Sequence, residues 1–135
     1  MKVEEIMTKN LEYIDPDAVV YEAIGKMIER RIRSLIVRPR DEKDTYGVIT
    51  LKDIVFKAIG KGLDLNEVKV EKIATKPVIS INKDMEIGQV VKLMEEFKIA
   101  RVFVSEGKEI IGIVALFDVI AGAIKEKLGV KKVYS

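Results

Sequence analysis

The sequence predicts an α/β (α+β) fold of two β-α-β-β-α repeats, packed with pseudo-twofold symmetry around a shared core. The first observation behind this is self-similarity. At an offset of 67 residues, "VEEIMTKNLEYI" falls on "VEKIATKPVISI", with Val3/Val70, Glu4/Glu71, Ile6/Ile73, Thr8/Thr75, Lys9/Lys76 and Ile14/Ile81 coinciding. Asp17/Asp84, Met27/Met94, Glu29/Glu96, Ile32/Ile99 and Val37/Val104 continue the match. The offset then falls to 65, because the loop "RPRDEKDTY" is two residues longer than its counterpart, and Gly47/Gly112, Leu51/Leu116, Asp53/Asp118, Ala58/Ala123 and Ile59/Ile124 coincide. A period of this length marks an internal duplication. The second observation is that each copy alternates strand-like and helix-like spacing in the same order.

Each element follows from its local pattern. Residues 11–14 and 78–81 are apolar stretches of strand length. Asp17 and Asp84 come next, at positions suited to capping a helix start. Helical spacing follows, with Ile24, Met27 and Ile28 in the first copy and Ile87, Val91 and Met94, beside Val90 and Phe97, in the second. Two strand-like runs come after it, "SLIV" with "YGVIT" and "RVFV" with "IIGIV". A second helix, residues 51–59 or 116–128, closes each unit. The repeats are 1–62 and 63–135, joined through "GKGLDLN". Each is near the size at which a lone core is marginal, so the halves are expected to pack face to face.

Composition narrows the function classes. The 135 residues are 48% hydrophobic, enough for a real core, and the formal charge is +2 from 24 basic and 22 acidic residues. Such a balance gives no general attraction to nucleic acid or an anionic membrane. Arg30 to Arg40 and the basic end "KEKLGVKKVYS" are the segments a nucleic-acid reading would have to use. Without cysteine or histidine there is no thiol nucleophile, no disulfide and neither of the commonest transition-metal ligands. No catalytic or metal-binding residues are therefore assigned, and no phosphate-loop or zinc-protease motif occurs. The chain shows no signal peptide or long apolar run, so a cytoplasmic location without membrane partners is expected. Dense Lys, Glu and Arg would suit a thermophile.

The distinctive short stretch is "GVITLKD", residues 47–53, repeated as "GIVALFD", residues 112–118. Each reads as a strand running into a helix, where unpaired backbone N–H groups favour an anion. Thr50 and Asp53 have the spacing of a capping box, and the same hydroxyl and carboxylate could instead serve a ligand. Ala115 replaces the threonine in the second copy while Asp118 is kept. The sequence thus predicts one complete site and one degraded site.

With "G-h-h-T-x-x-D" at the last strand-to-helix turn (h apolar), and with "VEEIMTKN" and "VEKIATKP" opening each copy, the whole chain resembles a tandem pair of cystathionine-β-synthase (CBS) domains. The resemblance implies a regulatory module that binds AMP, ADP, ATP, S-adenosylmethionine or an NAD-like molecule between repeats, without chemistry or covalent cofactor. It also implies a disc-like homodimer acting on an effector protein. In such pairs basic residues before the middle strand face phosphates, which points to Arg33 and Arg101. The base is expected against the first strand of the opposite copy. That means Lys76, Pro77, Val78 and Ile79 for the Thr50/Asp53 site, and Asn10, Leu11 and Glu12 for the Asp118 site. Two alternatives stand beside it: a ligand-free dimerisation module, and a nucleic-acid-binding protein using Arg30 to Arg40 and the basic end.

Overall fold

The computed structural model describes residues 1–128; the last part of the basic end, 129–135, lies outside them. After a 3-10 turn at Val3–Glu5, the elements are β1 (Tyr13–Ile14), α1 (Val20–Arg30), β2 (Ser34–Val37), β3 (Gly47–Thr50) and α2 (Leu51–Asp53). α2 runs on as a π-helix over Ile54–Ile59. The second repeat supplies α3 (Val70–Ile73), β4 (Ser80–Asn82), α4 (Ile87–Phe97), β5 (Arg101–Glu106), β6 (Glu109–Ala115) and α5 (Leu116–Leu128). Two three-stranded sheets result, ordered β1-β2-β3 and β4-β5-β6. In each, the first pair is parallel and bridged by a helix, and the second pair is an antiparallel hairpin.

The packed units cut across the sequence repeats. One unit is Glu12–Val78, and the other joins residues 1–11 to the chain from Ile79 onward. Each repeat therefore gives its opening segment to the unit built by the other. Backbone hydrogen bonding explains the exchange. Neither Asp17 nor Asp84 caps a helix; the N-cap residues are Val19 and Glu86, and Val19 offers no side-chain bond. The first N–H groups of α1 instead donate to carbonyls of the second repeat's opening segment, Val20 to Val68 at 2.9 Å and Tyr21 to Leu65 at 2.8 Å. Equivalently, Ile87 at the start of α4 donates to Met1 at 3.1 Å, and Val3 donates to Met85 at 2.8 Å. Orphan donors at a helix start need such partners, and here they come from the other repeat's main chain.

Each unit has its own core drawn from both repeats. Ile14, Val20, Ala23, Met27, Leu35, Ile49, Ile54 and Ala58 pack with Val68, Val70 and Ile73 in one. In the other, Val3 joins Ile81, Val90, Met94, Val102, Val104 and Val114. The helix faces differ in part from the expected ones. Val20, Ala23 and Met27 point inward on α1, and Val90 and Met94 on α4, whereas Ile28, Val91 and Phe97 are exposed. Both helices end on a non-glycine residue in the left-handed region, Arg31 (φ 56) and Lys98 (φ 54). The next residue's N–H closes each end, Ile32 onto the Met27 carbonyl and Ile99 onto Met94, both at 3.0 Å.

The expected α-helix over 51–59 widens into a π-helix after one turn. Its i→i+5 bonding ends with the Gly60 N–H on the Val55 carbonyl at 2.7 Å.

Candidate functional site

In the Glu12–Val78 unit, β3 carries the strand-to-helix turn and the second repeat's opening segment lies along its free edge. Val48 and Thr75 exchange both backbone hydrogen bonds, each at 2.9 Å, and the Val78 N–H donates to the Tyr46 carbonyl at 3.3 Å. The approach is close at Gly47. A Cβ there would lie 3.1 Å from the Thr75 carbonyl oxygen and 3.3 Å from the Lys76 Cβ. This brings Thr50, Asp53, Lys76, Pro77 and Val78 into one unit. The Lys76–Pro77 peptide is cis.

The turn itself is a closed capping box. Asp53 Oδ2 accepts from the Thr50 N–H at 3.0 Å and from Thr50 Oγ1 at 3.1 Å, while the Asp53 N–H donates to Thr50 Oγ1 at 3.1 Å. The other oxygen, Oδ1, is also engaged. Lys57 Nζ lies 3.0 Å from it, one helical turn on, and Thr75 Oγ1 donates to it at 3.4 Å. Lys57 further donates to the Ile73 carbonyl and to Thr75 Oγ1, both at 3.2 Å. Asp53 is thus a buried carboxylate, 8% exposed, with four donors on its two oxygens. Such full satisfaction is what a buried charge requires.

The counterpart in the other unit has the same frame with fewer partners. Thr8 and Ile113 exchange backbone hydrogen bonds at 2.8 and 3.0 Å. A Cβ at Gly112 would run into the Met7 side chain. Asp118 Oδ2 accepts from the Ala115 N–H at 2.8 Å, and Thr8 Oγ1 donates to Oδ1 at 3.4 Å. Ala115 supplies no hydroxyl, and the position matching Lys57 is Gly122. Asn10 and Leu11 belong to this unit with Asp118.

Two expected contact residues fall in the opposite units. Ile79 lies with the second sheet, its carbonyl accepting from the Phe103 N–H at 3.0 Å. Glu12 lies with the first, its carbonyl accepting from Ile36 at 2.9 Å. The unit boundaries run just before each, where the chain leaves the exchanged segment for β4 or β1. Arg33 and Arg101 stand beside the two turns but are not structural equivalents. Arg33 is exposed and its carbonyl accepts from the Leu51 N–H at 3.2 Å, a role filled by Ala100 for Leu116. Arg101 opens β5 opposite Ala115, as Ser34 stands opposite Thr50.

Arg38, Arg40 and Lys76 are paired. Arg38 reaches Asp15 at 3.3 Å and lies over the Tyr13 ring at 5.2 Å, while Arg40 bridges Asp17 and Glu71. The Arg40 guanidinium holds the Asp17 carboxyl below its ordinary range. Lys76 pairs with Asp44 at 2.8 Å, tying the longer β2–β3 loop to the exchanged segment. That ammonium, with the Arg40 and Thr45 N–H groups, pulls the Asp44 pKa down to about 2. Sequence reasoning did not assign Lys57, Thr8 or Thr75 to the sites. The signals were present, in a lysine four residues after Asp53 and in a threonine shared by both repeats.

A family model described as "CBS domain" matches twice, over residues 3–60 and 70–124. The chain belongs to the CBS-domain family. An uncharacterised protein of Methanopyrus kandleri is 31% identical over 121 residues, which cover 89% of this chain and 61% of that protein. The chain thus spans under two thirds of that relative's length. A hexameric CBS-CP12 protein from bloom-forming cyanobacteria superposes with a TM-score of 0.84 at 34% identity, covering 94% of this chain and 73% of that one. An uncharacterised conserved protein from Pyrococcus horikoshii gives 0.78 at 27% identity, covering 99% and 96%. Tandem CBS domains are generally regulatory modules that bind adenosine ligands. No helix among the described residues is long and apolar enough to cross a membrane.

Proposed function

We propose that this CBS pair is a non-catalytic sensor that binds an adenosine-containing ligand, an adenine nucleotide or S-adenosylmethionine, and reports its occupancy to an effector protein. One observation carries the reading. A strand-to-helix turn bearing a carboxylate occurs in both units, each time faced by the other repeat's Thr-Lys segment, Thr75–Lys76 or Thr8–Lys9. The carboxylate suits a ribose diol, and Arg33, Arg101 and Lys76 supply cations for phosphate oxygens. Thermal-shift screening against AMP, ADP, ATP, NAD and S-adenosylmethionine tests it. A ligand at 100 times its Kd stabilises the folded state by about 2.7 kcal/mol. No shift with any of the five at millimolar concentration refutes the proposal.

A second reading, a ligand-free dimerisation module, is favoured by the saturation of Asp53 and by exposed apolar side chains. Leu51, Val55 and Ile59 recur at helical spacing along one helix, and Leu116, Ile120 and Ile124 along its counterpart. Contiguous stripes of this kind suit association with a second copy. Sedimentation equilibrium decides that point, and a monomer at all concentrations would remove it.

A further inference from the structure

Two equivalent carboxylates with unequal hydrogen-bonding capacity lead beyond the general reading. A carboxylate offers about four acceptor positions. Asp53 has four donors on it: the Thr50 N–H, Thr50 Oγ1, Thr75 Oγ1 and Lys57 Nζ. Among the described residues Asp118 has two, the Ala115 N–H on Oδ2 and Thr8 Oγ1 on Oδ1, which leaves one acceptor position on each oxygen. A vicinal diol has two donors to place, so Asp118 can take both without losing a partner. At Asp53 the same diol must first displace a lysine ammonium and a threonine hydroxyl. The ammonium is anchored by two further acceptors, the Ile73 carbonyl and Thr75 Oγ1. Charge acts in the same direction but adds little, because the Lys57 side chain is 44% exposed and screened by solvent.

We infer that Lys57 is a specificity-determining residue, a resident donor that fills at Asp53 the place a ligand diol takes at Asp118. The inference rests on the adenosyl-ligand reading above. It inverts the order expected from the sequence: the turn lacking threonine is the open one, and the complete turn is closed by its own side chains. The second repeat has Gly122 where the first has Lys57. At that position its helix therefore carries no such donor.

Calorimetric titration with AMP and with 2′-deoxy-AMP tests the inference, because the pair differ only in the diol. Wild-type protein is expected to bind one AMP per chain, lost in Asp118→Asn and kept in Asp53→Asn. Lys57→Met is expected to raise AMP affinity at the second site by tenfold or more, with no gain for 2′-deoxy-AMP. That gain disappears when Asp53→Asn is added. Lys57→Ala serves if the methionine variant does not fold, and the Asp118 and Asp53 comparison stands without either. Wild-type binding that depends on Asp53 overturns the inference, as does a Lys57→Met protein with no new site or an equal gain for both ligands. Each of those results leaves the sensor reading intact. Absence of AMP binding in every protein overturns the inference, and only failure of all five ligands in the thermal screen removes the reading beneath it.

Discussion

Removing the two equivalent aspartates should damage the ligand-free protein unequally. Asp53→Ala deletes an acceptor that satisfies the Thr50 N–H, Thr50 Oγ1, Thr75 Oγ1 and Lys57 Nζ. Loss of the capping box alone costs about 0.5–2 kcal/mol. The hydrogen bonds to a charged group each carry about 1.5–3 kcal/mol before overlap between them is considered. The Lys57 side chain is 44% exposed, so its ion pair adds little once solvent screening is allowed for. A total of about 3 kcal/mol follows for Asp53→Ala. Asp118→Ala removes one good hydrogen bond, from the Ala115 N–H at 2.8 Å, and one long one from Thr8. Its cost is about 1.5 kcal/mol. Urea unfolding at a fixed protein concentration measures both. With a slope of about 2 kcal/mol/M, the midpoints should fall by about 1.5 M and about 0.75 M. Equal losses, or a larger loss from Asp118→Ala, would refute the acceptor count on which the two sites are distinguished.

Ala115→Thr should close the second capping box, since the Ala115 N–H already donates to Asp118 as the Thr50 N–H does to Asp53. A gain of about 1 kcal/mol is expected in urea unfolding, and most of it should persist in Asp118→Asn, because the new hydroxyl accepts from the backbone N–H of residue 118 as Thr50 Oγ1 does from that of Asp53. The Asp44–Lys76 pair makes a pH prediction. Asp44 has its pKa lowered to about 2 in the fold, so its contribution is complete above the ordinary carboxylate range and is lost as pH falls toward 2. Melting temperature followed from pH 6 to 2 should therefore fall less steeply in Asp44→Asn than in wild type, and parallel curves would contradict the ion pair.

Much of this protein was determined by its sequence alone. The coincidences from Val3/Val70 to Ile59/Ile124 fix two copies of one unit, because a duplicated chain segment carries its periodicities and turn residues with it. Strands β2, β3, β5 and β6 and the Thr50/Asp53 turn were legible for the same reason, being specified by residues adjacent in the chain. Tertiary structure decided what depends on partners distant in sequence. Asp17 has the chemistry of a cap, yet Arg40 takes its carboxylate and the Val68 and Leu65 carbonyls take the α1 donors. Tyr21, Ile28 and Phe97 lie on exposed helix faces because the cores select Met27 and Met94. The exchange of opening segments, and with it the placing of Thr75 beside Asp53 and Thr8 beside Asp118, is set by which backbone groups remain unpaired once the sheets have formed. The two turns differ by one threonine in the sequence. How far each carboxylate is already occupied depends on Lys57, Thr75 and Thr8, and only the folded chain brings those side chains to it.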